Sequence, residues 1–193
     1  LLDTYVRAKP SEQLVEIEDL GLVDLIIKKG AKALDDLPEG IKESQENMAE
    51  TIENNVRRTI VDENPVNPKY YEQMSTLLAE LINLRKQKAI EYQDYLEKII
   101  ALAKMVKVPS DADDKYPSSM DTQAKKAFYD NFGKNESLVK MLDRTIRETK
   151  KADWIGDRFK EREIARAVAD TAAGYDINVT DVIELAKKQK DYQ

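Results

Sequence analysis

Residues 63–107 have the sequence ENPVNPKYYEQMSTLLAELINLRKQKAIEYQDYLEKIIALAKMVK, and this stretch decides the fold class. After Pro68 the apolar residues recur at steps of three and four, which is typical of an α-helix. Asn67 suits the N-cap and Pro68 the first helical position. The pattern predicts one long helix over about 68–107, which would extend ~60 Å if unbroken. Because that length exceeds a small globule, the helix either breaks, most readily at residues 85–88 (RKQK), or projects from the body.

Shorter helices are predicted on both sides of this stretch. Apolar residues at helical spacing indicate them at about 22–34, 41–61, 121–132, 136–151, 158–172 and from 180 onward. Asp121 and Thr180 are the expected N-caps of two of these helices. The predicted fold class is therefore all-α: an irregular helical bundle with one long helix and several shorter ones.

The clearest domain boundary lies just before the long helix. Pro65 and Pro68 stand three residues apart, and each favours extended backbone in the residue before it. We therefore predict a first domain over residues 1–62 and a second over residues 63–193.

The residue types that are missing exclude most catalytic chemistry. The chain contains no cysteine and no histidine, which removes the thiol nucleophile, the zinc ribbon and the commonest general base. Its six glycines never cluster, so neither a Walker A loop nor a dinucleotide fingerprint can form. The acidic loop of Asp111, Asp113 and Asp114 lacks the glycine and the terminal glutamate of an EF-hand, and we interpret it as a solvated loop. We expect no catalytic, cofactor or metal site in this chain.

The chain begins Leu1-Leu2-Asp3-Thr4-Tyr5, with neither an initiator methionine nor a signal-peptide pattern. We expect a piece from inside a longer protein, or else a processed N-terminus. No apolar stretch approaches the ~20 residues needed to cross a bilayer. Together with the missing cysteines, this favours a cytoplasmic location without a membrane partner.

A basic cluster between residues 140 and 166 is the candidate contact surface. It contains nine Lys or Arg against six Asp or Glu, in a chain whose net charge of −6 disfavours a nucleic-acid-coating protein. The cluster could contact DNA phosphates or an acidic partner, or its cations could simply pair with neighbouring carboxylates. Trp154 lies between the predicted helices, and we expect it to pack in the core rather than stack on a base. The candidate residues are Lys140, Arg144, Arg147, Lys150, Lys151, Trp154, Arg158, Lys160, Arg162 and Arg166.

Six segments spread over nearly the whole chain suggest a family. They are 50–58 (ETIENNVRR), 60–71 (IVDENPVNPKYY), 74–78 (MSTLL), 92–99 (YQDYLEKI), 116–122 (YPSSMDT) and 157–162 (DRFKER). Together they resemble the C-terminal part of the R (restriction and translocation) subunit of type I restriction–modification enzymes. None of these segments is catalytic in that family, and no active-site residue can be transferred to this chain.

The resemblance implies a parent protein that is a type I site-specific deoxyribonuclease. Such R subunits have a PD-(D/E)-x-K endonuclease domain and two helicase-like ATPase domains upstream, so the parent would use ATP and Mg²⁺. Residues 1–62 would end the helical domain, and residues 63–193 would form the C-terminal domain. That region would dock the translocating motor onto the methyltransferase (M) subunit. The alternative is a guide module that contacts duplex DNA through the basic 140–166 face, whereas an autonomous enzyme is disfavoured.

Overall fold

The computed structural model describes residues 12–37, 39–109 and 116–193 of the chain. Within those residues the fold is all-α, with no β-strand, which confirms the predicted fold class. Its helices are α1 (Glu12–Lys29), α2 (Glu39–Lys42), α3 (Gln45–Glu63), α4 (Pro68–Lys86), α5 (Tyr92–Lys107), α6 (Gln123–Asn131), α7 (Glu136–Thr149), α8 (Arg158–Thr171) and α9 (Val179–Lys187). The acidic loop with Asp111, Asp113 and Asp114 lies outside the described residues.

The stretch 68–107 forms two helices, so the prediction of one long helix is wrong. α4 ends at Lys86 and α5 begins at Tyr92. Lys88 adopts the left-handed backbone region, with φ of 54°, and the Ala89 amide donates to the Leu84 carbonyl at 2.9 Å. The break begins within the polar run 85–88, where the sequence predicts it. Three of the four residues of that run are exposed, so little apolar burial there supports a continued helix.

The chain folds into two compact units. The first comprises Leu1–Ile60 and Met74–Pro109, and the second comprises Val61–Gln73 and Ser110–Gln193. The first change from unit 1 to unit 2 falls after Ile60, close to the predicted boundary at residue 62. Residues 74–109 belong to unit 1 again, since their helix α5 packs against α1. The compact units therefore differ from the predicted domains in where residues 74–109 belong.

The core of unit 1 includes buried apolar residues of α3 and α5. α1 bends at Gly21, whose φ of 71° favours glycine. α3 buries Ile52, Val56 and Ile60, three members of the apolar face predicted for residues 41–61, although that stretch is divided into α2 and α3. The apolar residues of α5 that complete the unit are Ile99, Ile100, Leu102, Ala103 and Val106.

Unit 2 has its core between α6, α7, α8 and α9. The apolar residues at helical spacing that predict α7 are all buried: Leu138, Val139, Leu142 and Ile146. Two predicted N-caps are displaced by one position or two. Thr122 rather than Asp121 accepts a hydrogen bond from an α6 amide, and Asn178 rather than Thr180 caps α9. Asp121 instead accepts a hydrogen bond from the ammonium of Lys125 at 2.8 Å.

None of the helices in the described ranges has the length and apolar character that crossing a membrane requires.

Helix α4 begins as predicted at Pro68, and the Asn67 side chain accepts a hydrogen bond from the Tyr70 amide at 3.4 Å. The Asn67 amide also donates to Asp130 at 2.7 Å and its oxygen accepts from Asn131 at 2.7 Å. These contacts place the start of α4 against the end of α6 within unit 2.

Candidate interaction surface

All ten residues of the predicted contact surface belong to unit 2. Three are on α7, four are on α8, and the remaining three are in or beside the turn that joins these helices. Their partners divide them into cations paired with carboxylates, cations bonded to main-chain carbonyls, a buried tryptophan, and arginines with neither kind of partner.

The cations of α7 are paired with acidic residues one helical turn away. The pairs are Lys140 with Glu136, Arg144 with Glu148 and Arg147 with Asp143. The hydrogen bond from Lys140 lowers the pKa of the Glu136 carboxyl, and the bond to Glu148 raises the pKa of Arg144. Lys151 similarly bonds Glu163 at 2.7 Å. For these four cations the structure agrees with pairing along and between the helices.

Two further lysines bond main-chain oxygens around the turn. The ammonium of Lys150 donates to the Gln193 carbonyl at 3.2 Å. Lys160 donates to the Ala152 carbonyl at 2.8 Å and lies 3.6 Å from the Asp157 carboxylate. Asp157 in turn accepts the Phe159 and Lys160 amides as the N-cap of α8, and these bonds lower the pKa of its carboxyl. Both lysines therefore hold the turn in shape.

Trp154 is a core residue, with 2% of its surface exposed, so it offers no stacking face to a partner. Its indole N–H donates to the Tyr192 carbonyl at 2.7 Å. The Tyr192 hydroxyl donates to Asp143 Oδ1 at 2.8 Å, and Arg147 Nε donates to the same oxygen at 2.9 Å. Burial raises the pKa of Tyr192, as does the adjacent Asp143 carboxylate. Arg147 is thus tied to the core beneath α7.

The side chains of three arginines of α8 form no ion pair or hydrogen bond with any described residue. Arg158, Arg162 and Arg166 follow one another at four-residue steps, so they lie on one side of the helix and span ~12 Å. All three are exposed, and Phe159 beside them is 84% exposed. The opposite side of α8 packs Ile164 and Val168 into the core. We call this exposed set (Arg158, Phe159, Arg162 and Arg166) the arginine face.

Phe159 was missed as a candidate from the sequence. The apolar residues of α8 that pack inward, Ile164 and Val168, stand four residues apart, and the same step taken backward from Ile164 arrives at Lys160. Phe159 therefore lies off the apolar stripe by one position, which is 100° around a helix. A helical-wheel comparison of residues 158–171 would have identified it as an exposed aromatic residue.

A shallow groove of about 280 Å³ separates α8 from α9, next to the arginine face. Ala165, Val179 and Ile183 supply its apolar surface, and Arg158 and Arg162 stand on its α8 side. Its other charged side chains are Glu161, Glu184 and Lys187. Lys187 bonds Glu184 at 2.8 Å and Glu161 at 3.0 Å, and these bonds raise the pKa of its ammonium.

The surface can bind an anionic group together with an apolar one. Guanidinium groups are suited to carboxylates and phosphates, which they can bind with two parallel hydrogen bonds. In the described part of the chain no group of three or more acidic side chains is placed to hold a metal ion. The chain matches no protein-family model, no curated protein and no solved structure.

Proposed function

We propose that this chain is a non-catalytic docking module, the C-terminal helical region of a type I restriction enzyme R subunit, and that it binds the M subunit. The arginine face supports this proposal. Three guanidinium groups that have no counter-ion among the described residues stand beside Phe159, which leaves 84% of its surface in water. Aromatic residues and arginine are enriched at protein interfaces relative to the rest of the surface. A partner that covers this face would remove apolar area from water and pair the arginines.

The chemistry of the parent enzyme would reside upstream of this chain. The endonuclease and ATPase domains of the parent would use Mg²⁺ and ATP, and the role of this module would be to join that motor to the M subunit in the cytoplasm. Because this chain has neither histidine nor cysteine and no clustered glycines, its contribution would be assembly rather than catalysis.

The docking proposal is tested by assembly of the whole R subunit with purified M subunit, followed by analytical ultracentrifugation. Deleting residues 63–193 is expected to abolish the complex. In the full-length subunit, Phe159→Ser combined with Arg166→Glu should weaken assembly at least ~10-fold. The double substitution removes the exposed aromatic ring from the proposed interface and reverses one of its charges. Arg144→Glu is the matched control, since Arg144 pairs with Glu148 on α7. Unchanged assembly of the deletion variant would refute docking.

A second candidate is that the same surface guides duplex DNA as it leaves the motor. The observation that favours it is the row of unpaired arginines on α8, since each could neutralise one phosphate. The affinity for a DNA duplex would then fall steeply with salt, by ~0.9 in log K per log salt for each phosphate contact. Reversing the charges of Arg158, Arg162 and Arg166 should reduce that slope by the equivalent of ~3 phosphate contacts. Reversing the charge of Arg144, which pairs with the exposed Glu148, should change the slope little. If the DNA affinity of the unmodified chain does not change with salt, DNA guidance is refuted and docking remains as the proposed function.

A further inference from the structure

We infer that the groove between α8 and α9 receives an acidic amphipathic helix of the protein partner. An apolar side chain of that helix enters the groove, and its carboxylates meet Arg158 and Arg162. The inference rests on the docking proposal and specifies the part of the surface that is used and the chemistry of the segment that binds there.

The size and lining of the groove favour side chains over a small molecule. Its volume of about 280 Å³ is at the lower end of the ~300–1,000 Å³ range of small-molecule sites, and the groove is shallow, so it suits one or two side chains better than an enclosed ligand. Ala165, Val179 and Ile183 form the apolar surface. Because Ala165 has only a methyl group, its side chain leaves space on the α8 side of the groove. An apolar side chain from outside would therefore be covered on both flanks.

The charges around the groove define the orientation of the bound helix. Arg158 and Arg162 are one helical turn apart, ~6 Å between Cβ atoms, so they match two carboxylates on successive turns of a partner helix. On the α9 side, Glu184 is exposed and shares Lys187 with Glu161. Acidic residues of the partner are therefore attracted to the α8 side and repelled from Glu184. The bound helix is expected to present a neutral or basic residue toward Glu184.

A protein fits this surface better than DNA does. A phosphate backbone can pair with the arginines, but it has no apolar side chain for the groove. The net charge of the chain, −6, also opposes the approach of a polyanion, whereas a single acidic helix has a smaller charge. A helix that lies in a groove between two helices makes apolar contacts at three- and four-residue steps. Because α9 is nine residues long, about two turns of the partner would be in contact.

The absence of cysteine from the chain allows a direct experiment. Thr180→Cys would place the only thiol at the exposed edge of the groove, and a benzophenone coupled to that thiol can be photo-crosslinked to purified M subunit without filling the groove. The expected product is one dominant M-subunit peptide with an apolar residue flanked by Asp or Glu at helical spacing. Ser137→Cys, on an exposed position of α7, is the matched control and should give little product.

Charge reversal provides a second measurement that needs no label in the groove. The Arg158→Glu/Arg162→Glu variant should bind the M subunit at least ~10-fold more weakly, whereas Arg144→Glu should bind normally. Replacing the acidic residues of the crosslinked M-subunit segment with arginine should restore binding of the doubly reversed chain. This restoration would not occur if the reversal merely damaged the fold.

Each outcome decides between the inference and the docking proposal. If the M subunit binds the doubly reversed chain as tightly as the natural one, or crosslinks mainly at Ser137→Cys, the groove is not the site and docking itself stands. If the M subunit does not bind the natural chain, both are overturned. If a DNA duplex rather than the M subunit crosslinks at position 180, and if that crosslink is lost on charge reversal, the surface binds DNA and the inference is wrong.

Discussion

Arg85 donates two hydrogen bonds to the carboxylate of Glu53, from Nε at 2.8 Å and from a terminal nitrogen at 3.2 Å. Both side chains are buried, with 8% and 6% of their surfaces exposed. The Tyr95 hydroxyl donates to the same carboxylate at 2.9 Å, and Glu46 pairs with the outer side of the guanidinium. One ion pair therefore connects α3, α4 and α5 within unit 1, at the end of α4 where the chain turns.

Replacing Arg85 with methionine is expected to lower the free energy of unfolding by ~3–5 kcal/mol. The physical reason is that Glu53 would remain buried with Tyr95 as its only hydrogen-bond donor in the described ranges, and a buried charge without its counter-ion is costly. Urea unfolding followed by far-ultraviolet circular dichroism measures the change. Lys86→Met, at the exposed neighbouring position, is the control and should have little effect.

A double substitution separates the ion pair from simple loss of packing. Glu53→Met combined with Arg85→Met should be less destabilising than the sum of the two single changes, because neither charge is then left alone in the core. Strict additivity of the two single changes would show that the pair does not act as a unit.

The buried tyrosines predict an alkaline transition. Burial raises the pKa of Tyr70 to about 12 and also raises the pKa of Tyr71, Tyr95 and Tyr192. Because each folded pKa exceeds the unfolded value of ~10, the stability contribution is complete below pH ~10. It falls above that pH by up to ~1.4 kcal/mol per pH unit for each tyrosine.

Phenolate absorbance in the near ultraviolet measures this effect against a reference titration of the chain in concentrated urea. The natural chain should ionise part of its nine tyrosines only in a late, cooperative step that coincides with the loss of helical circular dichroism. A native titration curve that superimposes on that of the unfolded chain would contradict the assigned burial.

Local signals in the sequence predict much of this fold. The pair Asn67-Pro68 predicts the start of α4, and the polar run 85–88 predicts its end. Periodicity alone extends the helix to Lys107, because the apolar residues before and after the break keep a helical spacing. The break depends on the left-handed backbone of Lys88, and a lysine is not a residue type that marks such a position.

The candidate surface is only partly predictable for a different reason. The sequence gives nine cations between residues 140 and 166, and the i,i+4 spacing correctly indicates the carboxylates that pair with Arg144 and Arg147. Contacts between distant segments cannot be derived from spacing. The bond of Lys150 to Gln193 joins residues 43 positions apart, and the Arg85–Glu53 pair joins residues 32 positions apart. The arginines of α8 that have no partner among the described residues can be identified only when the contacts of all neighbouring side chains are known.

Tyr192→Phe is expected to destabilise unit 2 by ~1.5–3 kcal/mol. The change removes one of the two close hydrogen bonds that Asp143 Oδ1 accepts and leaves Arg147 as the remaining close donor. Trp154 is the only tryptophan and is buried in the same core, so its fluorescence during urea unfolding reports on this unit directly. Tyr175→Phe, at an exposed tyrosine, should leave the midpoint unchanged. Equal midpoints for the Tyr192 and Tyr175 variants would show that the buried bond contributes nothing.

Truncating two phenylalanines of unit 2 should change the free energy of unfolding by very different amounts. Phe128 is fully buried against Tyr192 and Phe132, so Phe128→Ala should lower the free energy of unfolding by ~3–5 kcal/mol. Phe159 lies on the arginine face at 84% exposure, so Phe159→Ser should change stability by no more than ~0.5 kcal/mol. Urea unfolding followed by Trp154 fluorescence compares both variants with the natural chain. A large loss of stability in Phe159→Ser would mean that this ring packs within the chain, and the surface could then not be free to receive a partner.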